Sequence, residues 1–249
     1  MDLQLDNRIA WVTGAGSGIG AAIATTLAAE GCTVYVGDNN GGAAAEVAEK
    51  CDGRGYPIVF DVGNANESEA TVRRIVKERG RLDIVVNNAG ILKTGSVLDA
   101  SIADWDDVCR VNLSGVYYCC KAAVKSMVAQ RYGKIINIAS VSAMKGGGTF
   151  GNVLYGTTKA GVVALTKGFA RELAPHGINV NAIAPGVVET GMTNSLLTPE
   201  RRKAVVGAIP LGRMGSTDDV ARVVAMLASD LFAYIAGETI TVDGGYMTR

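Results

Sequence analysis

Tyr155 and Lys159 lie four residues apart in Tyr155-Gly156-Thr157-Thr158-Lys159, at the head of an apolar helical run. On a helix, positions i and i+4 share one face, so the phenol and the ammonium can meet. Such a pair is a proton-transfer unit. A free phenol titrates near ~10, which leaves about one in a thousand ionised at neutral pH. A positive charge roughly 4 Å away, at an effective dielectric of about 20, favours the phenolate by about 4 kcal/mol. That is about three pKa units, enough to bring Tyr155 towards working pH. Taken alone, the same pair also fits an ordinary Tyr and a solvated Lys, so the rest of the chain has to decide.

Few other groups are available for acid–base work. The only histidine is His176, which removes the commonest general base and any Ser–His pair. Cys32, Cys51, Cys109, Cys119 and Cys120 form no CxxC and read as buried free thiols, with no disulfide framework and no metal site. The 24 basic and 24 acidic side chains cancel, so charge makes no case for nucleic acid or an anionic membrane. Met1-Asp2-Leu3-Gln4-Leu5 lacks the pattern of a secretory signal. No apolar run approaches the ~18 residues of a membrane span. The expectation is a cytoplasmic protein whose 249 residues, 48% of them hydrophobic, form one domain over 1–249.

Short apolar runs alternate with helical segments along the whole chain. Strands are expected at 8–13, 32–36, 56–60, 82–86, 134–138, 178–183 and 239–242. Helices are expected at 18–30, 43–50, 67–79, 102–131, 154–174 and 217–229, several of them closed by Gly or Pro. Strand–helix alternation with nearly continuous apolar strands predicts an α/β fold, a Rossmann-type doubly wound domain. Its seven-stranded parallel sheet would carry helices on both faces. Ligands of such sheets bind beyond the carboxyl ends of the strands. The polar residues that follow each strand are therefore the ones to inspect.

After the first strand comes Thr13-Gly14-Ala15-Gly16-Ser17-Gly18-Ile19-Gly20, then a helix. Glycines here allow a tight turn and a close backbone approach to a pyrophosphate, with helix N-terminal amides aimed at it. A GxGxxG motif begun at Gly14 fails, because its third glycine falls on Ile19; the pattern present is TGxxxGxG. The second strand leads to Asp38, eighteen residues beyond Gly20. A carboxylate there accepts hydrogen bonds from both ribose hydroxyls of an adenosine and repels a 2′-phosphate. No Lys or Arg lies in the glycine turn or between Asp38 and Ala45, so the predicted cofactor is NAD.

The ordered set of TGAGSGIG, Asp61-Val62, Asn87-Asn88-Ala89-Gly90, Asn112, Ser140, YxxxK and Pro185-Gly186 resembles the short-chain dehydrogenase/reductase family over nearly the whole chain. The resemblance implies that Asp61 and Val62 hold the adenine, with Gly14, Ser17, Gly18 and Ile19 around the phosphates. Asn88, Ala89 and Gly90 would line the nucleotide cleft. It also implies that Asn112 supports the catalytic Lys159 through a water and a proton relay. Pro185, Gly186, the Val188 backbone and the Thr190 hydroxyl would hold the nicotinamide carboxamide. Two serines compete for the catalytic place. The family's usual spacing of 13 residues before the Tyr selects Ser142, while the strand-end pattern Asn137-Ile138-Ala139-Ser140 selects Ser140, which is favoured. A homotetramer is implied in the same way.

The resulting expectation is reversible hydride transfer between a secondary alcohol and NAD. Tyr155 exchanges the hydroxyl proton, Lys159 together with the positive nicotinamide lowers its pKa and would also hold the nicotinamide ribose, and Ser140 steadies the developing charge on oxygen, with Tyr155 and Lys159 both counted among the cofactor-binding residues. Substrate choice falls to residues 146–154 and a loop at about 187–213. The small polar groups of Met192-Thr193-Asn194-Ser195 suit a polyol, sugar or small hydroxy compound. The alternative is a 3-oxoacyl thioester reductase, for which Arg201-Arg202-Lys203 would supply a basic patch for the carrier. From a different class, a non-catalytic dinucleotide-binding sensor or scaffold would keep the glycine loop without turnover.

Overall fold

A computed structural model describes residues 2–248. Runs of β-branched and apolar residues form β1 (Ile9–Thr13), β2 (Thr33–Asp38), β3 (Gly55–Val59), β4 (Ile84–Asn87), β5 (Gly133–Ile138), β6 (Ile178–Pro185) and β7 (Thr239–Val242). All pair in parallel, in the order β3-β2-β1-β4-β5-β6-β7. Parallel neighbours need crossovers, and helices supply them. These are α1 (Gly18–Ala29), α2 (Gly41–Glu49), α3 (Ala65–Arg79), α4 (Ile102–Cys109), α5 (Gly115–Gln130), α6 (Ser142–Lys145), α7 (Val153–Leu173), α8 (Gly191–Asn194), α9 (Pro199–Ala208) and α10 (Thr217–Ala228).

Successive strand residues face opposite sides of the sheet. Ala10, Val12, Val34 and Val36 pack against Ile23 and Leu27 of α1 and Val220 and Val224 of α10. Trp11, Tyr35, Val85 and Ile135 pack the other way, against Ile75 of α3, Met127 of α5 and Val162 of α7. Full burial of one large apolar side chain contributes about 1.5–3 kcal/mol. Trp11 and Tyr35 are fully buried, so the layers are anchored from strands at the centre of the sheet. The chain is thus one domain, a helix–sheet–helix sandwich. Strand order runs outward in both directions from β1, with β2 on one side and β4 on the other, and the crevice of the fold opens there.

Three regions differ from the sequence expectation, one of them the single turn α6, where no helix is expected. The single helix expected at 102–131 is α4, a π-helical turn at Arg110–Ser114, and α5. Apolar periodicity does not register the one extra residue that a π turn inserts. The segment expected as a polar loop at 187–213 contains α8 and α9, begun by the Thr190 and Thr198 caps, with Pro199 opening α9. Capping residues, not apolar repeats, start these helices. Elsewhere the elements fall within a few residues of expectation, and β2 extends far enough to take in Asp38.

Among the described residues the five cysteines are free, and no His, Cys, Asp and Glu side chains cluster as a metal site. Burial pushes the Cys32 and Cys119 thiols up to about 12, so they are inert. No helix among the described residues is long and apolar enough to cross a membrane.

Candidate active site

Every residue expected at the site, Asn112 excepted, lines one cleft of about 530 Å³ at the carboxyl edge of the sheet. Gly14 and Gly18 both adopt left-handed backbone, with φ of 59° and 54°. A Cβ on Gly14 would lie 2.6 Å from the Ala89 Cα, so the glycine turn is pressed against the loop after β4. Asn88 ties the two together: its amide donates to the carbonyls of Thr13 and Gly14, at 3.0 and 2.9 Å. Thr13 returns the contact, its hydroxyl oxygen accepting from the Asn88 and Ala89 N–H groups. Asn88 therefore spends its amide on shaping the turn.

Asp38 closes the β2 end of the cleft. One carboxylate oxygen accepts from Gly16 N–H and the other from Asn40 N–H, both at 2.9 Å. A carboxylate offers about four acceptor positions, so capacity is left for a vicinal diol. No Lys or Arg forms an ion pair with Asp38 among the described residues. Asp61 accepts from Gly63 N–H at 2.8 Å and from Arg110 Nη1 at 2.6 Å, and Val62 lies beside it. Arg110 was not singled out by sequence; two residues before Asn112 in a helical stretch, it carries no local signal.

Tyr155 sits in the first turn of α7, where the Asn152 side chain caps the Leu154 and Tyr155 N–H groups at 3.1 and 3.3 Å. Lys159 follows one turn later, 3% exposed. Its ammonium donates to the Ile138 carbonyl at 2.8 Å and stands 5.7 Å from the centre of the Tyr155 ring. This corrects the expected electrostatics. The amine is aimed at the end of β5, not at the phenol oxygen, and burial pushes the Tyr155 phenol up, the Ser140 side chain alone pulling it back. Burial also brings Lys159 down to about 8. In this arrangement desolvation outweighs the attraction of the pair.

Ser140, directly after β5, lines the cleft, and its hydroxyl accepts from Ser142 N–H at 3.1 Å. Ser142 is not part of the lining; a Cβ built on Gly148 would lie 2.7 Å from its hydroxyl oxygen. Asn112 is fully buried beneath Gly90, its amide exchanging hydrogen bonds with the Ile91 backbone at 2.8 and 2.9 Å. A Cβ on Gly90 would be 3.3 Å from Asn112 Oδ1 and 3.5 Å from Lys159 Nζ, so both groups converge on that glycine. Pro185, Gly186, Val188 and Thr190 form the wall beyond β6. The Val188 carbonyl and the Thr190 hydroxyl already bond Thr193.

The lining meets the demands of a dinucleotide. It offers a glycine turn at a helix N-terminus, a carboxylate able to take a diol, and a phenol with a serine hydroxyl beside it in the same cleft. The volume lies within the ~300–1,000 Å³ of small-molecule and cofactor sites.

Comparison with known proteins places this arrangement in a class. A family model described as enoyl-(acyl carrier protein) reductase matches residues 14–247. The chain belongs to the short-chain dehydrogenase/reductase family, oxidoreductases that bind a nicotinamide dinucleotide. Its similar curated relatives include the 3-oxoacyl-(acyl-carrier-protein) reductases FabG of Thermotoga maritima, 40% identical over 247 residues (98% of this chain, 99% of that one), and of Escherichia coli, 39% over 243 (98% of each). That of Staphylococcus aureus is 43% identical over 242 residues, covering 96% of this chain and 97% of the relative. Among solved structures, gox2181 superposes with a TM-score of 0.96 at 35% identity, covering 100% of this chain and 98% of that one. A short-chain type dehydrogenase/reductase from Mycobacterium marinum gives 0.94 at 34%, with the same coverage.

Proposed function

We propose that this chain is an NAD(H)-linked reductase of 3-oxoacyl thioesters, interconverting a 3-ketone and its secondary alcohol. The observation that carries the reading is the Tyr155 phenol with Ser140 beside it in the cleft that ends at Asp38. The nicotinamide, when bound, supplies or accepts the hydride. Ser140 donates a hydrogen bond to the substrate oxygen, where charge develops. Tyr155 gives that oxygen its proton in reduction and takes it back in oxidation. A phenol held up by burial stays protonated at neutral pH, which suits it to act as the acid of a reduction. Lys159 has three N–H donors and spends one on Ile138, leaving two for a ribose hydroxyl and for the relay towards Asn112.

The thioester is preferred to the polyol or sugar first suggested by residues 192–195, and two observations support the change. The relatives that align end to end are named as 3-oxoacyl reductases. The polar groups that suggested a polyol are also consumed internally. Thr193 bonds Val188 and Thr190, Asn194 accepts from Arg202, and Ser195 donates to the Met192 carbonyl. Arg202 is paired with Glu189 as well, so of the basic trio only Arg201 and Lys203 would serve an acyl carrier.

The choice of NAD rests on Asp38, whose charge would meet the roughly two negative charges of a 2′-phosphate. Asp38→Ala should narrow the preference for NADH over NADPH at least tenfold; an unchanged ratio removes Asp38 from this role. For the substrate, acetoacetyl and longer 3-oxoacyl thioesters should support NADH oxidation. Inactivity on all of them together with NAD reduction on polyols would return the protein to the polyol reading. Tight NAD binding with no turnover on either panel would make it a sensor or scaffold. We also read it as a homotetramer, since Ile102, Trp105, Tyr117 and Val153 stand exposed along α4, α5 and α7. Light scattering that gave a monomeric mass would contradict this.

A further inference from the structure

Arg110 opens the π turn between α4 and α5 and lines the cleft at the end formed by Phe60, Asp61 and Val62. Four observations fix its side chain there. Nη1 bonds Asp61 Oδ2 at 2.6 Å. Asp61 is itself anchored, its other oxygen accepting from Gly63 N–H and its own N–H donating to Glu67 Oε2, each at 2.8 Å. The side chain lies across Gly63, where an added Cβ would collide with Nη1 and come within 2.9 Å of both Cγ and Cζ. The Arg110 side chain keeps 47% of its surface exposed, so it is not enclosed by the protein.

We propose that Arg110 is an adenine-binding residue, its planar guanidinium held by Asp61 and stacked on the purine ring. Nothing in the sequence motifs assigns it such a part. The inference rests on the dinucleotide reading of the cleft and adds a residue to it. Charge alone is a poor account of the position, because Asp61 already neutralises the guanidinium. What remains on offer is a flat, weakly hydrated, delocalised surface, and that is what a purine face accepts. The π turn gives the placement its logic. Arg110 lies in the cleft lining while Asn112, two residues on, is buried against Ile91 beneath the catalytic end. One widened turn thus serves both ends of the cofactor.

The test is equilibrium binding of 5′-AMP, ADP-ribose and NAD by calorimetry, which needs no turnover. Arg110→Met keeps length and removes the plane; the Kd for 5′-AMP should rise about tenfold, and that for NAD similarly. Arg110→Lys keeps charge and reach to Asp61 but lacks the flat surface, so it should bind as weakly as the Met variant. Gly63→Ala leaves Arg110 in the sequence and displaces it by collision. Since Gly63 is not in the left-handed region, strain of its own does not confuse the result. It too should weaken 5′-AMP, with the melting temperature showing that the fold is intact. An Arg110→Met protein that binds 5′-AMP within twofold of the wild type would overturn the proposal. Full affinity in Arg110→Lys would do so as well, by assigning the effect to charge. A wild-type protein that bound none of the three ligands would overturn both this inference and the dinucleotide reading beneath it.

Discussion

Spacing put Tyr155 and Lys159 on one helix face, yet it did not give the way they interact. The i, i+4 relation puts them on one helix face, but Lys159 answers to the Ile138 carbonyl, 21 residues away. Tyr155→Phe should lower kcat by about 10³-fold while leaving the NAD Kd within twofold, as fits a group that moves a proton and does not hold the cofactor. Loss of NAD binding would show that the phenol is structural. Ser140→Ala should cost about 10²-fold in turnover and Ser142→Ala less than threefold, measured side by side. The reverse ranking would transfer the role to Ser142. Lys159 carries a pH signature of its own. Its folded value of about 8 lies below the ~10.4 of an unfolded lysine, so between these values the unfolded chain binds more protons. Stability should therefore rise with pH across that window, by at most about 3 kcal/mol from this group. Urea unfolding of wild type and Lys159→Met, without cofactor, should show the wild type gaining on the variant from pH 8 to 10.

The alternation of strands and helices came directly from apolar period and Gly/Pro punctuation, because both are local. The π turn and helices α8 and α9 were missed, since their causes are a backbone insertion and capping residues. At this scale the start of α7 matters most for chemistry. Asn152 satisfies the N–H groups of Leu154 and Tyr155, so it fixes both the helix end and the backbone that carries the phenol. Replacing it with Ala should cost about 1 kcal/mol, which in a domain of this size lowers Tm by about 2–4 °C. It should also reduce kcat more than it raises KM. A lower Tm with unchanged kcat would mean that the cap supports the helix and not the site.

Taken whole, the cleft is shared by both halves of the sheet. Asp38 ends β2 on one side of β1, and Ser140 follows β5 on the other. A ligand that spans them binds only the folded molecule, and its binding energy adds to global stability. NAD at 100 times its Kd should stabilise the protein by about 2.7 kcal/mol, a rise in Tm of roughly 5–11 °C. A shift confined to local probes, with the main transition unmoved, would argue against a cleft shared in this way.

What the sequence determined by itself was whatever short-range chemistry dictates. The alternating elements, the glycine turn after β1, the carboxylate at the end of β2 and the YxxxK pair all depend on neighbours a few positions away. Tertiary structure decided which partners those groups find. Lys159 turned to a carbonyl on β5, Ser140 faced the cleft while Ser142 packed against Gly148, and the threonines and Asn194 beyond β6 bonded one another or nearby groups. Arg110 met Asp61 across 49 residues. Such pairings follow from how packed layers bring distant segments together, and no periodicity along the chain encodes them.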